Sequence, residues 1–373
     1  MTESCVLVTT IVRHADSRRA SGFVRLVDLE TDQLRWRLGM PESAHRQHDP
    51  NPRGGLRGAR GASAHGDRLV VANAERLLVF DDCWSLVREI TQPWFGGIHD
   101  LLAEADGIWV TCASADLLVK VSWSGEILAD WEWRRDPNLR RAFGLTSIPP
   151  VDRGLDYRDP ETMRTGVRNT VHLNAIARCP QGLLLSFGRV LSPRAYRAAW
   201  WRSAAGRLAS KLGLPARTSR PTSLDAPSRV EGASAFIVLL EESGSTTVLR
   251  RSEGAAIPMH NVAWVNDKLI FNDSNAGALV ATAGGNSGDR SVPIPGRPSF
   301  ARGLAHCRDE VFWVGSQAPL ALYRVDLETS TITATIPLHG QEHESVYAIC
   351  PLPPRFCRAK PPSTGLVEVA GAC

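Results

Sequence analysis

A unit of about 40 residues recurs along the 373-residue chain, and this repetition limits its possible folds more than any other feature. In each copy a polar residue opens a short apolar run. A turn rich in Gly, Asp or Asn follows, then a second, more hydrophobic run, a third and a fourth. The clearest copies open at Arg60, His99, His172, His260 and Arg302, with second runs at 68–72, 107–111, 182–187, 268–272 and 310–315. Short runs with β-branched and aromatic residues between turn signals read as antiparallel strands, and four of them per unit is the content of a propeller blade. The last copy has a single run, 344–349, while the N-terminus supplies three unassigned ones, at 5–12, 22–28 and 34–38. The expectation is an all-β, six-bladed β-propeller spanning 1–373 as one domain, with the two termini completing one blade. Such a closure pairs sheet edges that would otherwise stay open.

Composition agrees with a large globular core: 43% of residues are hydrophobic and 22% charged. There is no long uncharged apolar run to cross a bilayer. The start, Met1-Thr2-Glu3-Ser4 followed by a strand-like run, has no basic segment and no long apolar segment of the kind that directs export, so a cytoplasmic location is expected. The eight cysteines form no C-x-x-C pair and several sit in apolar runs, which reads as small buried hydrophobes in a reducing compartment. Cys350 and Cys357 are the one pair considered for a disulfide, with nothing further in the sequence to support it.

Three insertions interrupt the rhythm: 39–57, 133–170 and 188–234. Successive antiparallel strands alternate direction, so fourth-to-first and second-to-third connections emerge on one face. The first two insertions are of the former kind and the third of the latter. All three are expected over the mouth where the innermost strands begin, a usual place for recognition. Within the third, 193–208 reads as a helix with Ser192 as its cap and Pro193 in its first turn. Its Trp200-Trp201 pair and arginines suggest a lid over the mouth or, as a lesser reading, contact with a membrane surface. Between Arg189 and Arg229 stand eight arginines and Lys211 against the single acid Asp225. The net charge of +4 is modest, so it is this clustering that would attract an acidic partner. Nothing resembles a nucleic-acid-binding motif.

Each innermost strand starts near the axis, so the opening residues should form a ring: Arg60, His99, His172 or Asn174, His260 with Asn261, Arg302, and Glu344 beside His343. Polar groups so placed need partners. Two chemistries are open. His99, His172 and His260 as ligands to one divalent metal, with Glu344 as a fourth ligand or base, is one. The other is an anion held by Arg60 and Arg302, assisted by Asn174 and Asn261, with the histidines and Glu344 as acids, bases or nucleophile. Both make the chain a binder of a small acidic ligand that acts on it in the catalytic version. A non-catalytic interaction platform built on the basic face is the alternative class.

The runs 171–177, 257–264 with 271–274, and 294–305 together resemble, in order, a bacterial family of uncharacterised propeller proteins described only as a domain of unknown function. That resemblance covers the second half of the chain and implies the fold without a reaction. The basic insertion after Phe187 and the first third depart from it. A looser likeness, carried by 172–175 and 125–133, is to bacterial arylsulfate sulfotransferases, which are six-bladed and use His and Arg at the channel mouth. It implies sulfuryl transfer through a histidine as a further alternative. Calcium-dependent lactonase propellers fit less well, since their acidic metal ligands have no counterpart here.

Overall fold

The computed structural model describes residues 5–13, 21–41, 58–159, 169–211, 234–253, 258–283, 288–358, 361–362 and 365–368. They form six four-stranded antiparallel sheets arranged in a ring, a six-bladed β-propeller. Blade one runs from β4 (Ala62–His65) to β7 (Leu86–Ile90), and blade two from β8 (Ile98–Ala103) to β11 (Ile127–Glu132). Blade three runs from β12 (Leu173–Cys179) to β15 (Thr246–Glu253), blade four from β16 (Met259–Val265) to β19 (Arg290–Pro293), and blade five from β20 (Arg302–Arg308) to β23 (Thr331–Pro337). The sixth is shared by the termini: β24 (Glu344–Pro351) pairs with β1 (Cys5–Val12), which pairs with β2 (Gly22–Asp28) and then β3 (Gln33–Gly39). The innermost strands touch in the closed order β4, β8, β12, β16, β20, β24 and back to β4.

Burial follows from blades stacked face to face. In β1 and β2 every residue is buried, because neighbouring sheets cover both faces. The outermost strand of blade five, Thr-Ile-Thr-Ala-Thr-Ile-Pro, alternates between exposed positions and partly or fully buried ones, since one face meets water. The core is therefore a set of wedges between adjacent blades. Between blades six and one, Leu7, Leu26, Phe80, Trp84 and Phe356 pack together. Blades three and four approach so closely that a Cβ on Gly188 would lie 2.1 Å from Asn174 Nδ2 and 2.6 Å from the Met259 carbonyl. Only glycine fits there.

The insertions leave the fold at the expected connections. The first joins β3 to β4, and its residues 42–57 lie outside the described residues. The second joins β11 to β12 and contains the short helix α1 (Pro137–Ala142), capped by Asp136, whose carboxylate accepts the backbone N–H groups of Asn138 and Leu139. The third leaves β13 (Gly182–Val190) and returns at β14 (Ser234–Glu241). Helix α2 (Pro193–Lys211) fills its described part, three residues longer than the sequence indicates. Ser192 caps it as expected, its hydroxyl accepting from the Ala195 N–H at 3.2 Å.

One reading of the sequence is corrected. Cys5 in β1 and Cys357 in α3 (Pro354–Arg358) form a disulfide, so the two are not reduced thiols and Cys357 does not pair with Cys350. The partners are 352 residues apart, a spacing no local rule detects, and only closure of the ring brings them together. Cys112, Cys179 and Cys350 are buried thiols, as expected, while Cys83 is exposed. Cys373 lies outside the described residues. Among the described residues no helix is long and apolar enough to cross a membrane.

Candidate functional site

Local irregularity at the strand starts builds the mouth. The pairing of β16 with β17 (Lys268–Asp273) shifts between His260 and Val262, and that of β20 with β21 (Val311–Gly315) shifts between Arg302 and Leu304. The pairing of β12 with β13 shifts between Leu173 and Ala175, and that of β8 with β9 (Ile108–Cys112) between Ile98 and Leu101. A bulge at each start re-aims the side chains beside it. The three histidines do not share one register position. His260 directly precedes its bulge, His99 lies within one, and His172 stands one residue ahead of β12 at φ 51°.

These different routes converge. The His99 and His172 rings meet edge to face with centroids 4.5 Å apart, and His172 and His260 are 6.3 Å apart. Arg302, 6% exposed, crosses from blade five to donate to His99 Nδ1 of blade two at 3.1 Å. Its guanidinium carbon lies 3.4 Å from the centre of the Tyr347 ring. The Tyr347 hydroxyl bonds His99 Nδ1 at 2.6 Å, and Arg60 donates to that hydroxyl at 3.3 Å and to the Ile98 carbonyl at 3.2 Å. His260 also packs against Phe300, at 5.7 Å, with Arg13 on that ring at 4.7 Å.

The hydrogen bonds fix the tautomers. A guanidinium only donates, so His99 Nδ1 is an acceptor and its Nε2 carries the proton. The Ser274 hydroxyl donates to the Ala301 carbonyl at 2.6 Å, so it accepts from His260 Nδ1 at 2.7 Å, and the lone pair of His260 is on Nε2. His172 Nδ1 donates to Asn169 Oδ1 at 2.8 Å. Burial, reinforced by neighbouring cations and histidines, holds His99 and His260 well below the ordinary histidine range, so both are neutral near pH 7. Burial and then Arg60 lower Arg302 from its usual value.

Other candidates have different tasks. Asn174, the alternative to His172, is buried and donates to the Met259 carbonyl at 2.7 Å, bracing blades three and four. The Asn261 side-chain oxygen accepts from the Gly303 N–H at 2.8 Å and from Asn272 at 3.3 Å, bracing blades four and five. The Glu344 carboxylate is engaged by Arg25 at 2.6 Å, Arg37 at 3.1 Å, the Thr10 hydroxyl and the Gln341 N–H at 2.9 Å. None of these partners belongs to the histidine cluster. The sequence reading missed Tyr347, which lies inside an apolar run three residues past Glu344, and Asp100, hidden beside His99 in a bulge. Burial raises Asp100 to about 7, against the N–H groups of Ile176 and Leu101 and the charge of Arg302.

The cluster does not fit a three-histidine metal centre. Among the described residues, His99, His172 and His260 do not bring one nitrogen each to within 4.8 Å of one another. His99 has its proton on Nε2 and its Nδ1 taken by a cation, and two guanidiniums nearby oppose a dication. Four arginines of the second insertion have carboxylate partners of their own. Arg134 pairs with Asp116, Arg135 with Glu132, Arg153 with Asp130 and Arg158 with Asp156. Arg164 and Arg168 lie outside the described residues.

The shifted groups predict a pH slope. Unfolded, His99 and His260 take up protons near 6.5 that the folded protein refuses. Folded, Asp100 holds a proton up to about 7 that the unfolded chain releases near 3.8. Between these limits the unfolded chain binds two protons and the folded chain one, so stability rises with pH. From these three groups, acidification from 6.5 to 5 should destabilise the fold by up to about 1.4 kcal/mol per pH unit. His260→Asn, whose amide can still donate to Ser274, leaves one proton on each side and should flatten the slope. Urea midpoints at stepped pH check this, and an unchanged slope in the variant would show that His260 is not held neutral.

No protein-family model and no curated protein matches the sequence. Solved structures align with much of the chain at low identity. A protein of unknown function from Bacteroides caccae aligns with a TM-score of 0.51 at 10% identity, over 93% of this chain and 98% of its own. A chain of the nidogen/laminin complex gives 0.48 at 8% identity, over 93% and 98%. Virginiamycin B lyase from Staphylococcus aureus gives 0.43 at 11% identity, over 76% and 85%. The likeness to the Bacteroides caccae protein extends to the fold alone.

Proposed function

We propose that the channel mouth binds a small molecule that carries a carboxylate, phosphate or sulfate together with a hydroxyl group. One observation supports this above the others: Arg302 is buried at the mouth with Arg60 near it, and its side chain meets an imidazole nitrogen and an aromatic face rather than a carboxylate. A buried cation without a bonded anion is costly, and a ligand anion relieves that cost. Asp100 senses Arg302, but its carboxylate bonds backbone N–H groups instead. The tautomers define the rest of the ligand. His99 Nε2–H adds a donor for the anion, whereas the lone pair on His260 Nε2 accepts a hydroxyl proton. Where the ligand is turned over, His260 is the base, being neutral at pH 7 and oriented by Ser274.

Calorimetric titration with sulfate, phosphate and a hydroxycarboxylate such as malate tests the reading. Arg302→Ala should weaken the binding of whichever anion the protein takes up by roughly 30- to 100-fold, the size of a charge-assisted hydrogen-bonded contact. His260→Asn should weaken malate more than sulfate. Equal affinities in native protein and Arg302→Ala, at unchanged melting temperature, would refute the site.

A further inference from the structure

Helix α2 has a surface that the channel mouth does not use. Its first turns carry Arg194 and Arg197, and the sequence from Pro193 to Lys211 contains no acidic residue. Tyr196 anchors the helix by packing on the cluster that contains Phe187 and Phe236 of blade three and Phe143 of the second insertion. Beyond that anchor Trp200 is 42% exposed, Trp201 67% and Leu208 60%. The two indoles stand edge to face at 4.9 Å, each partly in water. Among the described residues, no other tryptophan is so exposed. Next to the helix start lies a hollow of about 310 Å³ whose lining includes Arg141, Phe143, Phe236 and Arg251. Exposed indoles beside arginines, on a helix without acidic residues, suit the headgroup region of an anionic bilayer. Tryptophan settles at headgroup depth, and each arginine gains from the negative surface potential of an anionic leaflet.

We infer that helix α2 docks the propeller onto an anionic lipid surface, with Trp200 and Trp201 inserted among the headgroups and Arg194 and Arg197 on lipid phosphates and carboxylates. Nucleic acid is the other polyanion, but the indoles pack edge to face on one helix rather than lining a groove for successive bases. The inference is independent of the anion site, because none of its residues belongs to the channel mouth.

Sedimentation with vesicles of phosphatidylcholine alone, and with about 30% phosphatidylserine, tests it. The native protein should partition onto the anionic vesicles only, at least about tenfold less so when salt rises from about 0.1 to about 0.5 M. Trp200→Ser/Trp201→Ser and Arg194→Glu/Arg197→Glu should each cut partitioning by at least about tenfold while leaving the melting temperature and anion affinity of the channel in place. Brominated lipid in the same vesicles should quench the tryptophan fluorescence of the native protein, a readout that needs no variant. Absence of binding, equal binding to both vesicle types, lack of quenching, or tighter binding to an oligonucleotide than to anionic vesicles would each overturn the inference.

Discussion

Glu344→Gln is expected to destabilise the protein by roughly 3–5 kcal/mol, the cost of leaving buried charge uncompensated. Glu344 and Arg25 have fully buried side chains 2.6 Å apart, and Arg37 reaches the second carboxylate oxygen at 3.1 Å. The surrounding groups hold all three in place. Arg25 also donates to the His339 carbonyl at 2.8 Å, and the Arg37 guanidinium lies 3.5 Å from the centre of the Phe23 ring. The glutamine keeps the size of the side chain and removes its charge, so two guanidiniums lose the anion between them. The triad joins β24 to β2 and β3, and the loss should therefore loosen the blade shared by the termini first. The measurement is a urea midpoint for native protein, Glu344→Gln and Glu344→Gln/Arg25→Met. The double variant removes one of the stranded cations and should recover part of the loss. A single variant as stable as the native protein would show that the triad does not hold the closure, and would reopen a role for Glu344 at the mouth.

Reduction of the Cys5–Cys357 bridge, or Cys5→Ser, should cost roughly 2–5 kcal/mol. The bridge closes a loop of 352 residues, so it removes much of the freedom of the unfolded chain. The cost falls short of unfolding because other contacts also hold the seam. β1 stays paired with β24 from Val6 to Val12, and Phe356 packs on Trp84 at 5.7 Å while the Trp84 indole donates to the Phe356 carbonyl at 3.0 Å. Melting curves with and without reductant check the magnitude. Alkylation of unfolded, unreduced protein should leave two of the eight cysteines unmodified. Eight modified cysteines, or equal melting temperatures, would show that the bridge does not form. Disulfides persist in oxidising compartments, so this bridge also removes the cysteines as support for a cytoplasmic location.

Much of the architecture was legible before any coordinates. The repeat, its turn residues and the orphan run at 344–349 lead to six blades and a seam between the termini, and β1 and β2 begin and end at the residues read from hydrophobicity. Helix α2 and its Ser192 cap were equally plain, because a cap, a first-turn proline and helix-favouring residues act locally. Within the site, Arg60, His99, His172, His260 and Arg302 stand out as polar residues at apolar strand starts. Tyr347 did not, since an aromatic residue inside a strand is ordinary core until its hydroxyl is seen bonding His99. Asp100 was hidden in the same way, as its consequence depends on burial.

The sequence by itself determined how many sheets form and where each blade begins, because hydrophobic periodicity and turn chemistry are properties of neighbouring residues. Tertiary structure alone decided what those residues do. Bulges and a positive φ at His172 set which rings meet, a guanidinium crossing from the opposite blade sets the tautomer of His99, and Glu344 is drawn into its own blade by two arginines. Each of these depends on groups tens to hundreds of residues apart, whose distances are fixed only when the ring closes.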